Sequence, residues 1–148
     1  MSRISEIMTR DVRIIAPTES LQRAAQIMDE LNVGALPACE GERLAGMVTD
    51  RDIVVRAVSA GMSADSTPVS QVMSTNVQSC YEDEYVEDVM DRMRDVQIRR
   101  VPVMDRRERL VGMVSLGDIA TKIRDDEEIK DTLEGISQPS QPDRSGLH

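Results

Sequence analysis

Between Leu21 and Leu31 the apolar positions Leu21, Ala24, Ala25, Met28 and Leu31 recur at spacings of three and four, with polar residues between them. That period predicts an amphipathic helix. The same period returns at Val86, Val89, Met90, Met93 and Val96. A short extended run precedes each helix, Val12 to Ile15 and Val77 to Cys80, across a polar, turn-like patch. Ser20 or Thr18 is placed to cap the first helix, and Glu82 to Glu84 complement the dipole at the start of the second. Two apolar runs then follow in each half, separated by a charged turn: Ala35 to Cys39 with Leu44 to Thr49, and Val101 to Met104 with Leu110 to Ser115. Each half closes on a second helical stretch, Arg51 to Ala60 and Gly117 to Arg124. The predicted order is β-α-β-β-α, twice.

The two halves are copies. Ile7-Met8-Thr9 recurs as Val72-Met73-Ser74 at an offset of 65, and Val12, Leu21, Met28 and Pro37 meet Val77, Val86, Met93 and Pro102 at the same offset. After a one-residue change in the turn, LAGMVTDRDI from Leu44 matches LVGMVSLGDI from Leu110. Self-similarity at a fixed period marks a repeated structural unit, here of about 60 residues. The units are placed at 1–64 and 65–124, joined by the small and polar segment Gly61 to Pro68. In 125–148, DDEEIKDTLEGI reads as one more surface helix and SQPSQPDRSGLH as a disordered tail. One unit has too few elements to cover both faces of its sheet. Two units docked sheet to sheet about a pseudo-two-fold solve that burial problem.

Composition narrows the function. Hydrophobic residues are 40% and charged residues 30%, with no apolar run of membrane-spanning length and no secretory signal at the N-terminus, so a cytoplasmic protein is expected. A net charge of −9 argues against broad nucleic-acid binding, which needs a basic face. The two cysteines, Cys39 and Cys80, end apolar runs and read as buried free thiols. Phe and Trp are absent, and ten methionines help to fill the core. The single histidine is His148, so no histidine-based catalytic or metal site is expected. There is no P-loop and no G-x-G-x-x-G, and Asp52 and Asp118 occupy the same position in two copies rather than forming an acid/base dyad. A non-enzyme is expected.

The motifs Thr49-x-x-Asp52 and Ser115-x-x-Asp118, each at the end of a Gly-Met-Val strand, admit two compatible readings. One is a capping box, in which hydroxyl and carboxylate satisfy each other's backbone amides. The other is a ribose pocket beside a helix N-terminus that attracts phosphate.

The repeat, the element order, the two Gly-apolar-apolar-Thr/Ser-x-x-Asp motifs and the strand prolines in Leu36-Pro37-Ala38 and Val101-Pro102-Val103 resemble a tandem pair of cystathionine β-synthase (CBS) domains of the stand-alone kind. The resemblance covers residues 1 to 124 and implies an α+β fold of two pseudo-symmetric repeats. It also implies adenosyl-ligand clefts between the repeats (AMP, ADP, ATP, NAD(H) or S-adenosylmethionine), a homodimer and a regulated partner protein. It assigns the first cleft Thr9, Val12, Arg13, Ala35, Leu36 and Pro37 around the adenine, with Thr49 and Asp52 on the ribose and Arg51 on phosphate. The second draws on Val77, Val101, Pro102, Ser115, Gly117 and Asp118, with Arg99 and Arg100 toward phosphate. Leu116-Gly117 replaces Asp50-Arg51 there, so the first copy is the stronger candidate. A ligand-free interaction or scaffold module, its motifs serving as caps alone, is the alternative.

Overall fold

The computed structural model describes residues 2–134. Helix α1 (Leu21–Leu31) starts at Ser20, whose Oγ accepts the Arg23 amide at 3.1 Å, and ends on Asn32 in the left-handed conformation. Its buried stripe is Leu21, Ala24, Ile27 and Met28; Ala25 and Leu31, expected on that stripe, are exposed. The buried face centres on Ala24, Ile27 and Met28, which leaves Ala25 at its edge. Helix α3 (Val86–Asp95) buries Val86, Val89 and Met93. Its N-cap is Tyr85 without a side-chain cap, and Glu87 and Asp88 supply the acidic first turn.

Strands β1 (Ala35–Glu40) and β2 (Arg43–Thr49) pair antiparallel. In the second half β3 (Cys80–Tyr81) lies parallel to β4 (Arg100–Met104), which pairs antiparallel with β5 (Leu110–Ser115). The extended run expected over Val12 to Ile15 contracts to one parallel bridge between Ile15 and Ala38, the counterpart of the Cys80–Val103 pair. Helix α2 (Asp50–Asp52) continues as a π-helix over Ile53–Val58. Helix α4 (Leu116–Glu134) is a single element rather than the two expected. Nothing between Gly117 and Glu134 breaks a helix, and Lys122 reaches Asp126 at 3.4 Å across the expected junction. The expected disordered tail from Ser137 lies outside the described residues.

Mixed helices and strands in two small sheets make an α+β fold with internal pseudo-symmetry. Each half owns a core, but neither core is built from its own repeat alone. Ile4 and Met8 are buried among Val86, Val89, Met93, Val103, Val114 and Ile119 of the second half. Val69 and Val72 are buried among Leu21, Ala24, Leu36 and Val48 of the first. The hydrogen bonds repeat with the same offset: Ile4 N donates to Glu84 O and Val69 N to Glu19 O, while Val86 N donates to Ser2 O and Leu21 N to Thr67 O. Thr9 exchanges both backbone bonds with Met113 (2.8 and 3.0 Å), and Ser74 exchanges both with Met47 (2.8 and 2.9 Å). The segment that opens each repeat therefore bridges to the edge strand of the opposite one.

That crossing explains the motif glycines. A Cβ at Gly112 would lie 2.7 Å from Thr9 O and 2.8 Å from Met8 Sδ. At Gly46 it would lie 2.6 Å from Ser74 O and 3.0 Å from Met73 Sδ. Backbone leaves no room to yield, so only glycine admits the crossing segment. Gly112→Ala is expected to lower stability by about 1–3 kcal/mol through overpacking. Gly117→Ala, whose Cβ meets only Ser115 Oγ at 3.6 Å, serves as the control and should not destabilise. Urea denaturation reads both; equal midpoints for Gly112→Ala and wild type would sink this account.

Both cysteines are buried and free, as expected. Burial pushes the Cys39 thiol up to about 11. Burial first, and then the nearby Glu84 carboxylate, push Cys80 up to about 12. Thiolate, the reactive form, is then scarce at pH 8. A disulfide reagent at pH 8 should titrate neither thiol in the folded protein and both in guanidinium; rapid labelling without denaturant would contradict the assignment.

Candidate ligand site

The two Thr/Ser-x-x-Asp motifs are capping boxes. Asp52 N donates to Thr49 Oγ1 and Thr49 N to Asp52 Oδ2, each at 3.0 Å. Asp118 N donates to Ser115 Oγ and Ser115 N to Asp118 Oδ2, again at 3.0 Å. In both copies Oδ2 is the oxygen engaged by the cap. The copies differ in the other oxygen. Asp52 Oδ1 faces Arg56 Nε at 3.8 Å, whereas no described residue bonds Asp118 Oδ1.

Asp118 and Ser115 border a cleft of about 330 Å³. One wall is the crossing segment Thr9, Asp11, Val12 and Arg13. A second is Leu31 and Val33 with the start of β1, Ala35, Leu36 and Pro37. The floor is Met113, Val114 and Ser115 of β5, with Arg100 at the start of β4 beside its register partner Ser115. Apolar side chains line a central slot. The charged groups are two carboxylates, Asp11 and Asp118, and two guanidiniums, Arg13 and Arg100. A planar apolar ring with a polyhydroxylated, anionic arm fits that arrangement: slot for the ring, carboxylate for hydroxyls, arginines for the anion.

Nine of the seventeen residues singled out by sequence meet here: Thr9, Val12, Arg13, Ala35, Leu36, Pro37, Arg100, Ser115 and Asp118. Their grouping differs from expectation. Thr9, Val12, Arg13 and Ala35 to Pro37 join Ser115 and Asp118 of the second motif, not Thr49 and Asp52 of the first. The cause is the crossing, since Thr9 pairs with Met113 on β5. Thr49, Arg51, Asp52, Val77, Arg99, Val101, Pro102 and Gly117 do not line this cleft. Thr49 and Asp52 form the first cap, with Arg51 exposed beside them. Val77 is half-buried, Val101 and Pro102 are buried in β4, and Gly117 is exposed in the first turn of α4. Arg99 is exposed, and its carbonyl accepts the Leu116 amide at 2.8 Å.

Asp11, Leu31, Val33, Met113 and Val114 line the cleft without having been singled out. Asp11 holds φ at 51°, a left-handed conformation that Asp tolerates better than most residues. Its place between Thr9 and Val12 was the available signal. Leu31, Met113 and Val114 carried only the mark of a helix or strand, and Val33 that of the turn between α1 and β1. Among the described residues no group of three or more His, Cys, Asp or Glu is placed to hold a metal ion. Among the same residues no helix is long and apolar enough to cross a membrane.

Comparison with known proteins agrees with the geometry. The family described as CBS domain matches residues 4–59 and 69–125. A CBS domain-containing protein of Bacillus subtilis, YhcV, is 41% identical over 137 residues, spanning 93% of this chain and 96% of the relative. The crystal structure of Hypoxic Response Protein I with two coordinated zinc ions superposes with a TM-score of 0.75 at 35% identity, covering 82% of this chain and 99% of that one. The CBS domain pair of protein MJ0100, in complex with 5-methylthioadenosine and S-adenosyl-L-methionine, gives a TM-score of 0.72 at 28% identity, covering 85% and 98%. The chain belongs to the CBS domain family, as a tandem pair.

Proposed function

We propose that the protein is a regulatory module that binds an adenosyl ligand in the Ser115–Asp118 cleft, pairs with a second copy of itself, and signals occupancy to a partner protein. One observation carries the reading. The Asp118 cap leaves Oδ1 without a bond to any described residue, at the rim of an apolar slot flanked by Arg13 and Arg100. A carboxylate oxygen in that position can accept ribose hydroxyls. The N-terminus of α4 adds a positive dipole for phosphate. The adenosyl ligands in the MJ0100 complex support the class of ligand. AMP, ADP, ATP, NAD(H) and S-adenosylmethionine are the candidates.

The ligand-free reading is favoured at the other motif. There Oδ2 of Asp52 serves the cap and Oδ1 lies 3.8 Å from Arg56 Nε, an ion pair beyond hydrogen-bond distance that partly offsets the carboxylate's charge. Thr49 and Asp52 act in the first instance as a cap.

Thermal shift against the five candidates tests the proposal. A ligand at 100 times its dissociation constant adds about 2.7 kcal/mol to the folded state. At least one should raise the midpoint; no shift with any of them would leave the interaction module as the better account.

Asp118→Asn separates the two duties of the carboxylate. Its amide oxygen can still accept Ser115 N, while the amide nitrogen cannot accept from a ribose. Loss of a hydrogen bond to a charged group costs about 1.5–3 kcal/mol, so ligand affinity should fall by roughly ten- to a hundredfold with the unfolding midpoint nearly unchanged. Asp52→Asn should leave that affinity intact. Calorimetric titration reads both, and the reverse pattern would move the site to the first motif.

A further inference from the structure

Each reciprocal cap is followed, four residues on, by a cation: Arg56 after Asp52 and Lys122 after Asp118. Residues at that spacing share a helix face, and a carboxylate one turn before a cation is the better-matched order. Arg56 follows the pattern. Its Nε lies 3.8 Å from Asp52 Oδ1, and its guanidinium also donates to Val72 O at 3.1 Å. Lys122 does not. Its Nζ lies 3.4 Å from Asp126 Oδ1, one turn further along α4. Helical side chains lean toward the N-terminus, so reaching Asp126 carries Lys122 against that lean. Asp125 and Asp126 supply the pull, and the first half has no counterpart to them. Ser59 and Ala60 stand at the equivalent positions, just past the end of the helical turn at Val58.

We propose that Asp126 is a positioning residue for the ligand cleft: it draws Lys122 off Asp118 and so keeps the spare carboxylate oxygen open to a ribose. Asp125, three residues from Lys122, is a second acceptor for the same ammonium. The inference rests on the ligand reading given above. With Lys122 held by Asp126, no described residue bonds Asp118 Oδ1. Released, Lys122 turns back to Asp118, the second motif comes to match the first, and a ribose hydroxyl must compete with an ammonium. The acidic run beyond the second repeat thus acts on the cleft without lining it.

Two measurements test it. The first titrates 5-methylthioadenosine, followed by NMR, because that molecule carries a ribose and no charged arm for Lys122 to attract. The double variant Asp125→Asn/Asp126→Asn should bind it roughly two- to fivefold more weakly than wild type, the range of an exposed ion pair. Adding Lys122→Gln to the double variant should restore the affinity, and Lys122→Gln alone should bind as wild type does. The other charged groups at the cleft, Asp11, Arg13 and Arg100, are the same throughout. The second measurement needs no ligand. A carbodiimide joins an ammonium to a carboxylate in contact with it, and peptide mapping should find Lys122 joined to Asp126 in wild type and to Asp118 in the double variant.

Affinity that the double variant leaves unchanged, or that Lys122→Gln fails to restore, overturns the positioning role. So does a wild-type Lys122–Asp118 link as abundant as the Lys122–Asp126 link. Absence of 5-methylthioadenosine binding to wild type overturns it too, since a ribose alone then has no hold on Asp118. The ligand reading itself stands or falls separately, by the thermal shift with the five candidates.

Discussion

Everything in this molecule depends on how closely a backbone segment can approach a β-strand that has no side chain at one position. At Gly46 and Gly112 the crossing segment from the opposite repeat passes where a Cβ would be 2.6–2.7 Å from a carbonyl oxygen. Because that space is empty, Thr9 pairs with Met113 and Ser74 with Met47, adding one antiparallel bridge to the edge of each short sheet. The same segments carry Ile4, Met8, Val69 and Val72 into the opposite cores. Neither half is then a closed folding unit. The hydrophobic effect that small sheets cannot recover alone is recovered by exchange.

The exchange also builds the cleft. Once Thr9 is fixed on β5, the residues that follow it, Asp11 to Arg13, must run back toward Ile15, which pairs with Ala38 on β1. That path brings them to the same cleft as Ser115 and Asp118 at the start of α4. Ser115 and Asp118 do structural work at its edge by capping α4, and the cap consumes only one carboxylate oxygen. A helix terminus thus supplies rigidity and leaves an acceptor over. At Asp52 the spare oxygen has a cation 3.8 Å away, since Arg56 lies one turn on at i+4. Repeat symmetry of the backbone does not extend to the chemistry it presents.

Sequence made the local elements legible because each rests on near-neighbour patterns. The helical faces, Ser20 as a cap, both reciprocal caps and the strand pairs around Pro37 and Pro102 were all readable from spacing. The crossing was not, because a segment of five residues carries no signal of which half it will pair with. Thr9, Val12 and Arg13 were therefore grouped with Thr49 and Asp52 of their own repeat. The glycine of Gly-Met-Val was visible in both copies, but its reason is a contact with chain dozens of residues away. The continuity of α4 was missed for a different reason. An acidic run invites a helix start, yet nothing before it stops the preceding helix, and propagation is easier than renucleation.

If the cleft holds a ligand as proposed, its walls limit the signal that binding can send. The cleft wall of Thr9 to Arg13 is continuous with Ile4 and Met8 in the second core. The facing wall of Leu31 to Pro37 belongs to α1 and β1 over the first core. A molecule held between them contacts both halves at once, through Asp118 on one side and the Ala35–Pro37 backbone on the other. It shifts their relative placement only by the difference in its affinity for two placements. The apolar slot is shared by any flat ring and discriminates little between placements. The groups that discriminate stand on opposite walls: Asp118, Arg100 and Arg13 with the second half, and the Leu31–Pro37 segment with the first. On the proposed function, coupling between ligand and fold would require a ligand that spans both walls of the cleft.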